Sequence, residues 1–250
     1  MKKAVQIIVN NTGGIGAIDD ERKYKAFFSN IKGGAWTTDE ILPTMYKPSA
    51  DYLEKQLLQL EIIGVEYLVI VFSGHGGLSN NGRNTLLCLD GEGEDPDYNI
   101  LDSALISNEQ RRLVILDCCR TMERQGAGLL TESEDFIKAA HRVVPSAASV
   151  RRAYESAVSA TPVGTAILYA CEPTVGTTGA DGEGGVFSNR LKDISCITGQ
   201  VDPSLPGIYT IGDAHAAIKD LPDLYNPKTY CTNPSMMRLP WIVDPYVSRD

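Results

Sequence analysis

Apolar residues along the chain fall into two kinds of pattern. Short runs rich in Val, Ile and Leu occupy Ala4–Val9, Tyr67–Phe72, Thr85–Leu89, Leu113–Leu116 and Ala166–Ala170. Runs of this length and composition predict strands. Tyr67–Phe72 is apolar without alternation, as expected of a strand covered on both faces. Between the runs the spacing turns helical. In Ser49–Ile63 the residues Tyr52, Leu53, Gln56, Leu57, Leu60 and Ile63 fall along one stripe, with Ser49 placed to cap the N-terminus. Helical spacing also marks Glu132–Val144, Val150–Ala160, Gly185–Ile194 and Asp213–Leu221. Strands alternating with helices predict an α/β fold, a mostly parallel central sheet with helices on both faces.

No repeat and no linker divides the chain, so one domain over residues 1–250 is expected. The tail from Pro222 holds five of the 13 prolines and little periodicity. It is expected to wrap the surface, held by Trp241 and Tyr246. Residues 120–163 form a long connection between two strand candidates, at the sheet edge where parallel folds carry function.

Composition narrows the class. With 250 residues, 43% of them hydrophobic, the chain can bury a real core and is not a disordered segment. The longest apolar run is far short of the roughly 18 residues that span a bilayer. The apolar stretch after Met1-Lys2-Lys3 is interrupted by Gln6 and lacks the form of a signal peptide. A cytoplasmic protein with no membrane partner is the expectation.

The net charge of −9 is uneven: between Arg83 and Arg111 there is no Lys or Arg, but there are seven acids. The rest of the chain is near neutral, and nothing in it attracts a phosphate backbone, so nucleic acid is not an expected partner. The six cysteines, Cys88, Cys118, Cys119, Cys171, Cys196 and Cys231, include no zinc-type pair. Reduced thiols are expected, one of them reactive.

Three segments are candidates for chemistry. Thr12-Gly13-Gly14-Ile15-Gly16-Ala17 follows the first strand but places Asp19 where a dinucleotide fingerprint needs its third glycine. A flexible loop is the expectation there, with a nucleotide site as the rival reading. Ser73-Gly74-His75-Gly76-Gly77 ends the most apolar strand and exposes a histidine among glycines. Leu113-Val114-Ile115-Leu116-Asp117-Cys118-Cys119-Arg120 ends another buried strand in an acid, two thiols and a base. On neighbouring strands, His75 and one cysteine would share a sheet edge, where imidazole activates the thiol. Strand alternation sends Cys118 and Cys119 to opposite faces, so only one of them faces His75.

SGHGG followed by ILDCCR resembles the histidine and cysteine boxes of the caspase-like cysteine peptidases, closer to the bacterial and metacaspase-type members than to animal caspases. The 44 residues from His75 to Cys119 are near the family's spacing of about 50. The segment Leu168-Tyr169-Ala170-Cys171-Glu172-Pro173 through Gly185-Val186-Phe187 is similar to the family's next strand and helix. Metacaspases typically continue the cysteine with His-Ser-Gly, whereas Arg120-Thr121-Met122 follows here.

The resemblance implies a three-layer caspase-like sandwich, with a large-subunit-like part over about residues 1–150 and a small-subunit-like part over about 160–250. It implies that Cys119 is the nucleophile, His75 the base, and the N–H groups of Gly76 and Cys119 the oxyanion hole. It implies also that Asp117 lines a pocket for Arg or Lys at P1, with Glu172 a second candidate and Asp19 or Asp20 a third. Substrates would be proteins or peptides.

The dyad chemistry requires no metal or organic cofactor. Some metacaspases need calcium, so activation by calcium at the acidic stretch Asp90–Asp97 is weighed against a solvated acidic loop. Self-cleavage is expected at one of Arg120, Arg124, Lys138, Arg142, Arg151 or Arg152, and the trigger otherwise from a separate activator protein or small signalling ligand. Bacterial relatives often serve in stress or antiphage defence. A silent caspase-like scaffold is the rival from another class. His141 and His215 are expected to be structural.

Overall fold

The computed structural model describes residues 1–79, 82–91, 93–121, 145–180, 182–193 and 207–244. The longest apolar runs become the middle of one six-stranded sheet. Its strands are β1 (Lys3–Val9), β2 (Met45–Tyr46), β3 (Tyr67–Ser73), β7 (Arg111–Asp117), β8 (Gly164–Tyr169) and β12 (Lys228–Cys231), in the spatial order β2-β1-β3-β7-β8-β12. All pairs are parallel except β12, which runs antiparallel to β8 at one edge.

Both faces of the sheet are covered, which is why its central strands alternate so little. Val5, Ile7, Val69, Val71, Leu113 and Ile115 point to one side. There they meet Tyr24 and Phe28 of α1 (Ala17–Ser29), Tyr154 of α3 (Ala147–Ala160) and Leu191 of α4 (Val186–Lys192). Ala214 of α5 (Ile211–Ile218) packs into the same layer. Ala4, Ile8, Leu68, Ile70, Val114 and Leu116 point to the other side, against Leu53 and Leu57 of α2 (Ala50–Ile62). Ser49 caps α2 through its hydroxyl, which accepts from the Tyr52 N–H at 3.3 Å.

Several elements depart from the sequence pattern. Thr85–Cys88 is a strand, but it lies in a separate antiparallel sheet with Gly76–Leu78 and Asn99–Leu101 (β4, β5 and β6 in chain order). That small sheet covers the α2 face, so Leu87 is buried without joining the central sheet. The glycine run is a loop up to Gly16, as expected, and it leads into a helix that the sequence pattern does not indicate. Gly16 takes a φ of 80° before the helix, and the Asn11 side chain accepts from the Ala17 N–H at 2.7 Å. The tail does more than wrap. Besides β12, it supplies β13 (Pro240–Val243), antiparallel to β11 (Ile208–Thr210), and the fully buried Trp241. Trp241 packs on Phe27 and Phe28 and donates its indole N–H to the Leu191 carbonyl at 2.7 Å. The expected helix Glu132–Val144, with His141, Cys196 and Tyr246, lies outside the described residues. Among the described residues no helix is long and apolar enough to cross a membrane.

Candidate active site

The sheet's register decides which loops meet. Val9 pairs with Ser73 and Ser73 with Asp117, so β1, β3 and β7 end level with one another. His75 and Cys119 each stand two residues beyond this line, on neighbouring parallel strands. Two main-chain hydrogen bonds bracket them. Gly74 N–H donates to the Asp117 carbonyl at 3.2 Å, and Leu78 N–H to the Thr121 carbonyl at 3.2 Å. Gly76 lies in the tightest part of this bracket. A Cβ there would come within 2.8 Å of both Cys118 Sγ and the Cys119 carbonyl oxygen, so no larger residue lets the two segments close.

His75 is half-buried, and its Nε2 lies 2.7 Å from the Thr12 carbonyl oxygen. A carbonyl only accepts, so Nε2 carries the proton and the neutral ring keeps its lone pair at Nδ1. Thr12 is itself fastened. Its N–H and hydroxyl both donate to Asn10 Oδ1, at 3.1 and 2.7 Å. The Asn10 amide spans the sheet edge to donate to the carbonyls of Cys88 and Gly91, at 2.8 and 2.7 Å.

The two adjacent thiols differ. Cys118 faces the α2 side, wholly buried, and burial pushes its thiol well above the ordinary range. Cys119 is half-buried and lies beside the peptide of Thr177. The Thr177 N–H donates to Sγ at 3.4 Å, and Sγ is 3.7 Å from the Thr177 carbonyl oxygen. Burial raises the Cys119 thiol, the Thr177 N–H opposes that rise, and the charge of Asp117 adds to it. The stretch carrying Thr177 is held by Arg120, whose N–H donates to the Val175 carbonyl at 3.0 Å and whose carbonyl accepts from the Thr174 N–H at 2.7 Å.

Asp117 is buried beneath the nucleophile. Its carboxylate accepts from the Ser188 N–H at 3.0 Å and the Thr177 hydroxyl at 3.4 Å. Asp20, from the first turn of α1, joins it there. Asp20 accepts from the Ser73 hydroxyl at 2.7 Å and from the Gly185 N–H at 3.0 Å. Gly185 has to be glycine, since a Cβ would fall 2.1 Å from Asp117 Oδ2. Lys192 completes the cluster, with Nζ 4.0 Å from Asp20 Oδ1 and 3.7 Å from the centre of the Tyr24 ring. Burial, and then the charge of Asp117, push Asp20 up to about 7, and burial raises Asp117 as well. Burial draws Lys192 down to about 8 against the pull of both acids.

The remaining candidates have partners of their own. The Glu172 carboxylate is turned to the Asn226 amide at 2.9 Å and Lys228 at 3.7 Å. Asp19 accepts from the Gly182 N–H at 2.5 Å and pairs with Arg22. Asp90 pairs with Lys47 at 3.3 Å, and Asp95 accepts from the Asp97 N–H at 3.0 Å. Among the described residues no three His, Cys, Asp or Glu side chains converge as a metal site.

Arg120 is buried, stacked 4.0 Å over the Tyr169 ring and donating to Thr85 Oγ1 at 2.9 Å. Arg151 pairs with Glu40 and Glu155, and Arg152 lies within α3. Arg124, Lys138 and Arg142 lie outside the described residues. His215 Nε2 is 3.0 Å from the Pro227 carbonyl, far along the chain from the site.

Sequence reasoning missed Thr12, Ser73, Thr177 and Lys192. Ser73 did leave a signal, since it stands two residues before His75 as Asp117 stands two before Cys119. A basic residue near the end of a helix, such as Lys192, reads instead as a partner of the helix dipole.

A parallel α/β sandwich with histidine and cysteine boxes on adjacent strand ends has the layout of a caspase-like domain. Residues 63–208 match the family model of the caspase domain, and the chain belongs to that family. Membership places it among cysteine-type peptidases. Its fold is similar to that of caspase-1 from Spodoptera frugiperda, with a TM-score of 0.51 and 10% sequence identity, covering 92% of this chain and 85% of that one. Among curated proteins none matches the chain.

Proposed function

We propose that this chain is a cysteine endopeptidase cleaving after Arg or Lys, with Cys119 as nucleophile and His75 as general base and acid. The observation that carries the reading is the bracketing of both residues at level strand ends, with the His75 lone pair left at Nδ1. Nδ1 takes the proton from Sγ, and the thiolate adds to the scissile carbonyl. The N–H groups of Gly76 and Cys119 receive the developing oxyanion. The imidazolium returns its proton to the leaving amine, and water then hydrolyses the thioester with His75 again as base.

The P1 preference follows from charge. Two buried carboxylates, Asp20 and Asp117, lie beneath the nucleophile, and a third brought by an acidic P1 residue would be repelled. A guanidinium or ammonium compensates them. Glu172 is the second acid proposed for this pocket, its carboxylate meeting the Asn226 amide and Lys228.

The test is a panel of peptides differing only at P1 (Arg, Lys, citrulline, Asp), hydrolysed by wild type, Cys119→Ala and Cys118→Ala. Cleavage after Arg and Lys, lost in Cys119→Ala and kept in Cys118→Ala, supports the reading. Cleavage after Asp overturns the P1 assignment. Full activity in Cys119→Ala overturns the nucleophile, and no hydrolysis by wild type favours the silent scaffold.

A further inference from the structure

The acid cluster contains a charge for which the dyad chemistry has no use. Asp20 and Asp117 come from α1 and β7, and the hydrogen bonds described for them come from neutral donors, namely Ser73, Gly185, Ser188 and Thr177. Lys192 reaches them from the end of α4, with its side chain only 8% exposed and Asp20's 1%. Its Nζ makes no hydrogen bond among the described residues. The attraction of the acids and the face of the Tyr24 ring hold it there. Lys23, which donates to the Glu183 carbonyl at 2.6 Å, opposes the charge of Lys192 from the neighbouring turn of α1.

A buried ammonium without an acceptor is a costly arrangement unless its charge is needed where it sits. Two carboxylates this close do not both stay ionised in a buried site without a cation. With one cation built in, the ionised pair retains one negative charge. That remainder is what a singly charged P1 side chain would neutralise.

We propose that Lys192 is a specificity-determining residue of the P1 site, the resident counter-ion that leaves the Asp20–Asp117 pair a single net negative charge. It acts through the two acids and not by touching substrate. The proposal rests on the P1 reading above and adds to it a residue that sets how much charge the site presents. If Lys192 only filled space, its charge would not matter to selectivity. As counter-ion, its removal and the removal of Asp20 offset each other.

The experiment compares kcat/KM for one peptide with Arg or with citrulline at P1, in wild type, Asp20→Asn, Lys192→Met and the double variant Asp20→Asn/Lys192→Met. Wild type is expected to favour Arg. Asp20→Asn, now balanced by Lys192, should lose about tenfold or more of that preference. Adding Lys192→Met should restore it to within about threefold of wild type. With Lys192→Met alone the two acids share one proton and keep a single negative charge, so the preference should stay near that of wild type at neutral pH and strengthen only as rising pH ionises the second acid. The double variant replaces a buried ion pair by neutral groups, so it is informative even if Lys192→Met alone does not fold. A double variant as unselective as Asp20→Asn, in a protein whose wild type favours Arg, overturns the role of Lys192 and leaves the P1 reading standing. A wild type that takes citrulline as readily as Arg overturns both.

Discussion

The Nε2 of His75 lies 2.7 Å from the Thr12 carbonyl oxygen, and this contact selects the tautomer in which Nδ1 is the base. Among the described residues no charged group is hydrogen-bonded to the ring. A backbone carbonyl orients it, itself held by the buried side chain of Asn10. The register of three strands thus fixes a proton position at the loops that follow them.

Asn10→Ala should therefore damage catalysis without touching substrate. It frees Thr12 and leaves the Cys88 and Gly91 carbonyls without their amide donor. We expect kcat on an Arg peptide to fall by about tenfold to a hundredfold with KM little changed. Steady-state kinetics decides, and an unchanged kcat would show that the Thr12 carbonyl is not needed to orient His75.

Selectivity for a cationic P1 residue should vary with pH. Asp20 is pushed up to about 7, chiefly by burial, with Asp117, Lys192, Ser73, Gly185 and Lys23 as its surroundings. Below that pH it is neutral, and above it charged. KM for an Arg peptide should therefore fall several-fold from pH 6 to pH 8 relative to a citrulline control. The same shift has an opposite sign in stability. An acid whose folded pKa is raised stabilises less as pH climbs from the unfolded value toward the folded one. Urea midpoints should thus decline between about pH 4 and 7 in wild type, and less so in Asp20→Asn. A KM profile that Asp20→Asn leaves unaltered would be fatal to this account.

Gly76→Ala should cost both stability and activity. The added Cβ meets Cys118 Sγ and the Cys119 carbonyl at 2.8 Å, so the histidine and cysteine segments must part. Overpacking of this kind costs about 1–3 kcal/mol. Thermal unfolding and peptide hydrolysis should both register it.

Alkylation should separate the thiols. Cys118 is buried and pushed well up, Cys171 is pushed up to about 12, and Cys119 is half-buried with an N–H donor on its sulfur. Iodoacetamide at pH 8, followed by peptide mass spectrometry, should label Cys119 before either neighbour. Labelling of Cys118 first would reverse the assignment of the nucleophile.

Trp241→Ala tests how the tail supports the site. The indole packs on Phe27 and Phe28 and donates to the Leu191 carbonyl, the residue before Lys192. A loss of about 3–5 kcal/mol is expected by denaturant unfolding. Arg-over-citrulline selectivity should fall as well if the end of α4 shifts.

Five of the apolar runs did become strands, and the helix at Ser49–Ile63 formed with the expected cap, because burial patterns and capping act over a few residues. The two boxes were legible for the same reason, each being a strand followed by its own chemistry. The helix Ala17–Ser29 was not legible, since its stripe is carried by Ala17, Tyr24 and Phe28 among ten polar or at least partly exposed positions. Nor was the edge strand Lys228–Cys231, whose exposed face lacks an apolar pattern. The acid cluster lay furthest beyond the sequence. Asp20, Ser73, Asp117 and Lys192 are spread over 172 positions of the chain. Only the level ends of β1, β3 and β7, with α4 folded back beneath them, bring their charges together. Local chemistry is written in neighbouring residues, but the electrostatics of a buried site depend on distances that tertiary packing alone sets.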